Sequence, residues 1–222
     1  MNNKNEKKRR ITGNSLLRLA GLFAILAGIL YICIQFIHPE DHISSVSTSI
    51  WVVVACVTSI MSLFSLIGIT GIYMRQVEEA GGLGLIGYIL FSLFWLISMN
   101  FSFNEAFVLP LLTADAPKFV EGIVGIFGGT TSTVNLGIFP LLAPIAAVLY
   151  SVGGLLLGIA TYRARIFPRM AGGFLSFAAV VTFAAAIIPH PYDRMLAVFM
   201  GIAFIWLGYV LWSEHKRISR NF

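Results

Sequence analysis

The sequence predicts an all-α protein: a polytopic membrane helix bundle of six transmembrane helices with both termini cytoplasmic. Three observations carry this prediction. Hydrophobic residues make up 58% of the 222 and charged residues only 11%, whereas a soluble domain carries roughly a quarter charged. The apolar stretches continue for ~20 residues, the length a helix needs to cross a ~30 Å hydrocarbon core. They also lack the apolar/polar alternation of a barrel strand, and backbone groups without water in lipid leave only helices or closed barrels.

The elements follow in order. Residues 1–14, with "NKNEKKRR", form a basic cytoplasmic tail. A short basic run beside a span is accounted for by topology and anionic lipid, not by nucleic acid. The first span, 15–37, is a signal anchor, because it is too long for a cleaved h-region and lacks a small-x-small site. The second and third spans cover 50–73 and 82–107. The fourth covers 134–162 and contains Pro140 and Pro144, the fifth 171–188 and the sixth 195–212. Residues 15–213 thus form one domain, and 214–222 a second basic tail. Between the third and fourth spans, "DAPKFVEGIVGIFGG" (115–129) has a helix start at Asp115 and Pro117 and a stop at Gly128 and Gly129. Phe119, Val120, Ile123, Val124, Ile126 and Phe127 share a stripe opposite Lys118 and Glu121. It is too short to span, so it is an amphipathic helix on the outer leaflet or a cap on the bundle.

Orientation comes from lysine and arginine. With the N-terminus inside, thirteen of the fifteen fall on the inner side: the tail residues Lys4 to Arg10, then Arg18, Arg75, Arg163, Arg165, Arg169, Lys216, Arg217 and Arg220. Only Lys118 and Arg194 fall outside. This is the positive-inside pattern.

Most polar and small residues in the spans have a packing explanation. Lipid tails give helices no hydrophobic reason to associate, so close contact depends on small side chains. Ala20, Ala24 and Gly28 supply them on the first span, Ala147, Ser151, Gly154 and Gly158 on the fourth, and Ala197 and Gly201 on the sixth. Intramolecular packing is the first reading of these faces, a homo-oligomer or membrane-protein partner the second. Cys33 and Cys56 lie in apolar runs as small packing residues, without CxxC spacing. Thr58, Ser62 and Ser65 form a polar stripe at helical spacing, able to bond back to the preceding turn, to cross to another helix, or to line a polar path. Glu105, flanked by apolar residues in "SFNEAFVL", is a candidate buried ionisable group, with Arg194 or Lys118 as its partner.

Two apolar spans end on His-Pro, at His38 and His190. Arg18 precedes the first by 20 residues and Arg169 the second by 21. Equal spacing from an inner arginine places both histidines at one outer depth, and a duplicated segment would place them on neighbouring helices. With His42, Glu40, Asp41 and Asp193 nearby in sequence, His38, His42 and His190 are the candidate metal ligands of an outer-rim divalent site. The plainer reading is histidines hydrogen-bonded at helix ends, and no cofactor is otherwise expected.

"NSLLRLAGLFAILAGILY" near the start and "ARIFPRMAGGFLSFAAVV" later in the chain resemble a family of uncharacterised bacterial multi-pass inner-membrane proteins, a domain of unknown function. There an Arg-x-Ala/Leu-Gly sequence opens the first helix and a Phe/Leu-Pro-Arg-x-x-Gly turn leads into a late one. Phe167, Pro168, Arg169 and Gly172 match the latter. The resemblance implies a bacterial plasma-membrane setting and brings no activity or catalytic residues.

No Asp, Glu, Lys, Arg or His lies near the middle of a span, where proton-coupled transporters keep their relays. No P-loop, nucleophile elbow or HExxH occurs, so this chain alone does not drive ATP-dependent transport. The expectation is a non-catalytic binding, scaffold or regulatory component in contact with membrane lipids. The alternatives are a small-solute or lipid transporter using the Thr58 stripe, and a metal-dependent enzyme at the outer rim.

Overall fold

A chain this apolar must satisfy its backbone internally. The computed structural model describes residues 12–128, 130–188 and 192–218, and no strand occurs among them. Thr12 opens α1 (Gly13–Ile37) through a reciprocal capping box with Ser15, and α1 stops at His38, before Pro39. The short α2 (Ile43–Val46) leads to α3 (Ser49–Arg75), whose N-cap is the Thr48 hydroxyl. Then follow α4 (Val77–Phe107), α5 (Leu109–Leu112) and α6 (Pro117–Gly128). A 3-10 turn, Phe139–Leu141, runs into α7 (Leu142–Ala164). The helix α8 (Arg169–Val181) continues as a 3-10 segment, Thr182–Ile187, and another 3-10 segment, Tyr192–Leu196, precedes α9 (Ala197–Ile218).

Five helical segments are long and apolar enough to cross a membrane: α1, α3, α4, Phe139–Ala164 and Arg194–Glu214. They make this a membrane-embedded, multi-pass protein. The sixth apolar stretch is shorter as regular helix. The sequence places the start of the third span at residue 82, and Gly81, at φ 57° and ψ −163°, breaks α4 at that point. It places the start of the fourth at 134, but the first helical turn there begins at Phe139. Local bonds explain the delay. The Ser132 hydroxyl accepts from the Val134 amide, the Asn135 side chain accepts from the Gly137 amide at 2.8 Å, and Gly137 takes a positive φ of 62°. Helix resumes where Pro140 can occupy a first turn that needs no amide donor from it.

The long helices form a ring in chain order, α1, α3, α4, α7, α8 and α9, with α9 packing back on α1. Small residues make the seams. A Cβ on Gly21 would sit 2.8 Å from the Gly208 carbonyl oxygen, and one on Gly28 would press still closer on the Gly201 carbonyl oxygen, so α1 and α9 touch backbone to backbone. Gly68 and Gly71 of α3 receive Ala24 and Ala20, and Gly158 of α7 meets Gly172 and Ser176 of α8. This accounts for the Phe-Pro-Arg-x-x-Gly turn. Phe167 is buried, Pro168 caps α8, Arg169 stacks over the Tyr162 ring at 4.3 Å, and Gly172 makes the crossing. Because α9 stands between them, α1 and α8 share no packed seam, contrary to the expectation of neighbouring His-Pro helices. His190 itself lies outside the described residues.

Polar contacts separate the two ends. At one, Arg75 bonds Glu214 at 3.0 Å, the Gln76 amide donates to the Thr161 hydroxyl at 2.8 Å, and Arg18 lies over the Trp212 ring. At the other, α6 buries Val120, Ile123 and Val124 against Val46, Trp51, Leu109 and Leu136, leaving Lys118 and Glu121 exposed. The amphipathic segment therefore caps the bundle.

Candidate functional site

The site lies at the capped end, on the last turns of α4. Successive steps of three or four residues put Phe94, Ser98, Phe101, Ser102 and Glu105 on neighbouring rows of that helix. With Ile97 they wall a cavity of about 360 Å³, closed by His38 and Asp41 after α1, Ala146 of α7 and Arg194 before α9. A second cavity, of about 390 Å³, lies between α4, α5, α6 and α7. Apart from Asn100, Asn104 and Glu105 its walls are apolar, among them Leu109, Leu112, Phe119, Ile123, Phe139 and Leu142. The two cavities share Ile97, Phe101 and Glu105.

The helix sequences explain the opening. Toward the Arg75 end, Gly87 packs against Leu156 and Leu157, and Gly153 against Phe91, so α4 and α7 approach closely. Next comes a layer of large rings, in which Phe94 meets Trp95 and Tyr150, each at 4.8 Å, and Phe91 meets Phe204. Beyond it no described glycine lines either cavity, and Ala146 and Leu142 of α7 stand on their walls.

The polar groups are fixed from several elements. Arg194 donates to Asp41 at 2.7 Å, and each side chain is only 16% exposed, so this pair ties the loop after α1 to the start of α9. Ser102 and Glu105 stand one turn apart on the same cavity wall. Trp51 donates its indole N–H to the Glu105 carbonyl oxygen at 3.1 Å, joining α3 to α4.

The residues singled out in the sequence fall as follows. Glu105 and Arg194 line one cavity, but the short ion pair of Arg194 is with Asp41. Lys118 lies with His42 and Glu121 around a separate hollow of about 160 Å³, which also touches Asp41. The His38 Nδ1 is 2.7 Å from the Pro39 carbonyl oxygen, which can only accept, so that nitrogen carries the proton; the ring stands edge-on to Trp51. The His42 Nδ1 caps α2 by accepting from the Ser44 amide. His38 and His42 thus each stand at a helix end. Among the described residues no group of three His, Cys, Asp or Glu comes within metal-binding range. In the polar stripe, Thr58 bonds the Val54 carbonyl oxygen and Ser62 the Thr58 carbonyl oxygen; Ser62 also meets the Ser98 hydroxyl at 3.0 Å, and Ser65 is buried. The stripe is a packing seam between α3 and α4.

Sequence reasoning did not single out Ile97, Ser98, Phe101, Ser102 or Trp51. Stepping back from Glu105 by three and four residues would have found the α4 members. No local signal reaches Trp51, 54 residues away. No family model, curated protein or solved structure matches this chain. Its chemistry must be read from the walls: a charged chamber opening beside an apolar one.

Proposed function

We propose that this is a bacterial inner-membrane protein of six spans, both termini cytoplasmic, that acts as a non-catalytic binding component for an amphipathic small molecule reaching it at the outer leaflet. The pair of adjoining cavities carries the reading. Ligand sites are commonly concavities of ~300–1,000 Å³, mostly apolar with a few placed polar groups, and each cavity falls within that range. The charged chamber suits a polar head and the apolar chamber a hydrocarbon or aromatic tail.

Two further points support the topology. The 13 helical residues of α8 followed by the 3-10 residues Thr182–Ile187 rise about 30 Å, at ~1.5 and ~2.0 Å per residue, enough to cross. Arg18, Arg75 and Arg169 gather at the end opposite the cavities, which agrees with a basic cytoplasmic face. The two resemblance motifs fit the bacterial setting.

Replacing Leu142 by Trp would fill the apolar chamber from its α7 wall. Native mass spectrometry of protein extracted directly from membranes should find about one small amphipathic molecule per wild-type chain, and a folded Leu142→Trp variant should lack it. Equal occupancy in the two proteins would remove the binding reading. A C-terminal tag accessible from outside intact cells would remove the six-span topology.

A further inference from the structure

The charges of the two cavities do not balance. Among the described residues, Asp41, Glu105 and Arg194 are the charged side chains lining the first, and Glu105 alone lines the second. Arg194 is committed to Asp41 at 2.7 Å. That leaves the Glu105 carboxylate, on the boundary between a polar and an apolar chamber, with no other lysine or arginine among the described residues of either wall. Lys118 belongs to the separate hollow beyond α6. A carboxylate within a membrane helix is costly unless a cation or a proton meets it.

We propose that the missing cation arrives with the ligand, which is an organic ammonium on an apolar tail. This rests on the binding reading above. The ammonium lies against the Glu105 carboxylate at the junction, with the Ser98 and Ser102 hydroxyls on the same wall, and the tail enters the apolar chamber between Phe119, Ile123 and Leu142. Among the described residues the Asp41–Arg194 pair leaves the rest of the polar chamber close to neutral, so selection falls on a single positive charge. The shared chemistry is an amine with a hydrophobic body, from either a membrane lipid headgroup or a freely diffusing amphiphilic amine.

The test uses full-length protein in dodecyl maltoside micelles, which carry no amine, with 4-phenylbutylamine and its neutral analogue 4-phenylbutanol as probes and protein-free micelles as the blank. Both should bind saturably, the amine about tenfold more tightly or better, in line with a charge-assisted hydrogen bond. Glu105→Gln should erase the preference while leaving alcohol binding intact, which also shows that the variant is folded. Glu105→Asp should keep a preference. Micelles containing phosphatidylethanolamine separate the sources: competition with the amine identifies a lipid headgroup, and its absence a free amine. Equal binding of amine and alcohol by wild type, or a preference that survives in Glu105→Gln, would overturn the cation assignment while the binding reading stands. Failure of both probes to bind would overturn the binding reading itself.

Discussion

The seam between α1 and α9 is closed by glycine at two levels, Gly21 on Gly208 and Gly28 on Gly201, two turns apart. The seam between α4 and α7 is closed over one half only. Glycines bring those helices together near the Arg75 end, and beyond the rings of Phe94, Trp95 and Tyr150 the two cavities open. Both seams are built on the same rule, that apolar helices in lipid associate through close packing. The difference shows how a bundle with few charges makes a site: it withholds glycine along one stretch of one seam, and polar groups of α4, joined by Asp41 and Arg194 from other elements, line the gap.

The largest expected effect comes from breaking the closed seam. Gly28→Val forces a Cβ and two methyls into the Gly201 carbonyl and Ile205 and should cost ~3 kcal/mol or more, since backbone on the facing helix cannot yield as a side chain can. Thermal melting in detergent would measure it. A similar loss is not expected from Ala146→Val, whose added methyls face the cavity of the open seam.

Next is the ion pair that ties the loop after α1 to the start of α9. Asp41→Asn should destabilise by about 1–2 kcal/mol, discounted for partial solvent contact, because it leaves Arg194 beside a neutral amide. The exchange Asp41→Arg with Arg194→Asp should recover part of the loss, and a double-mutant cycle without coupling would show that the pair does not hold the rim together. A smaller effect is expected at the α3–α4 seam. Ser62→Ala removes the bond to Ser98 and should cost ~0.6 kcal/mol, the usual value for an interhelical hydroxyl bond within a membrane bundle.

The contrast between the seams also marks what could be read from sequence. Apolar length located the long helices, and the stripe from Phe119 to Ile126 located the capping helix, because both patterns are local. Small-residue spacing identified Gly28, Gly158 and Gly201 as contact points without naming their partners. The start of the fourth span was misplaced because Asn135 and Gly137 make a turn that hydropathy does not register. The site was half legible. Glu105 stood out as a carboxylate among apolar neighbours, but Arg194 turned to Asp41, 153 residues away. That pairing depends on α9 closing the ring against α1, an order that helical periodicity does not encode.

The most direct measurement of the central claim, an open cavity at one half of the α4–α7 seam, is thiol accessibility in purified protein lacking Cys33 and Cys56. Ser98→Cys lies on the cavity wall, and Thr161→Cys lies on α7 in the closed half, where the native Thr161 is buried against Gln76. A small methanethiosulfonate reagent should label the Ser98→Cys protein quickly and the Thr161→Cys protein at least ~100-fold more slowly, since reaching the latter requires an opening fluctuation of a few kcal/mol. Equal labelling rates, or a Ser98→Cys protein as inert as its partner, would contradict the account.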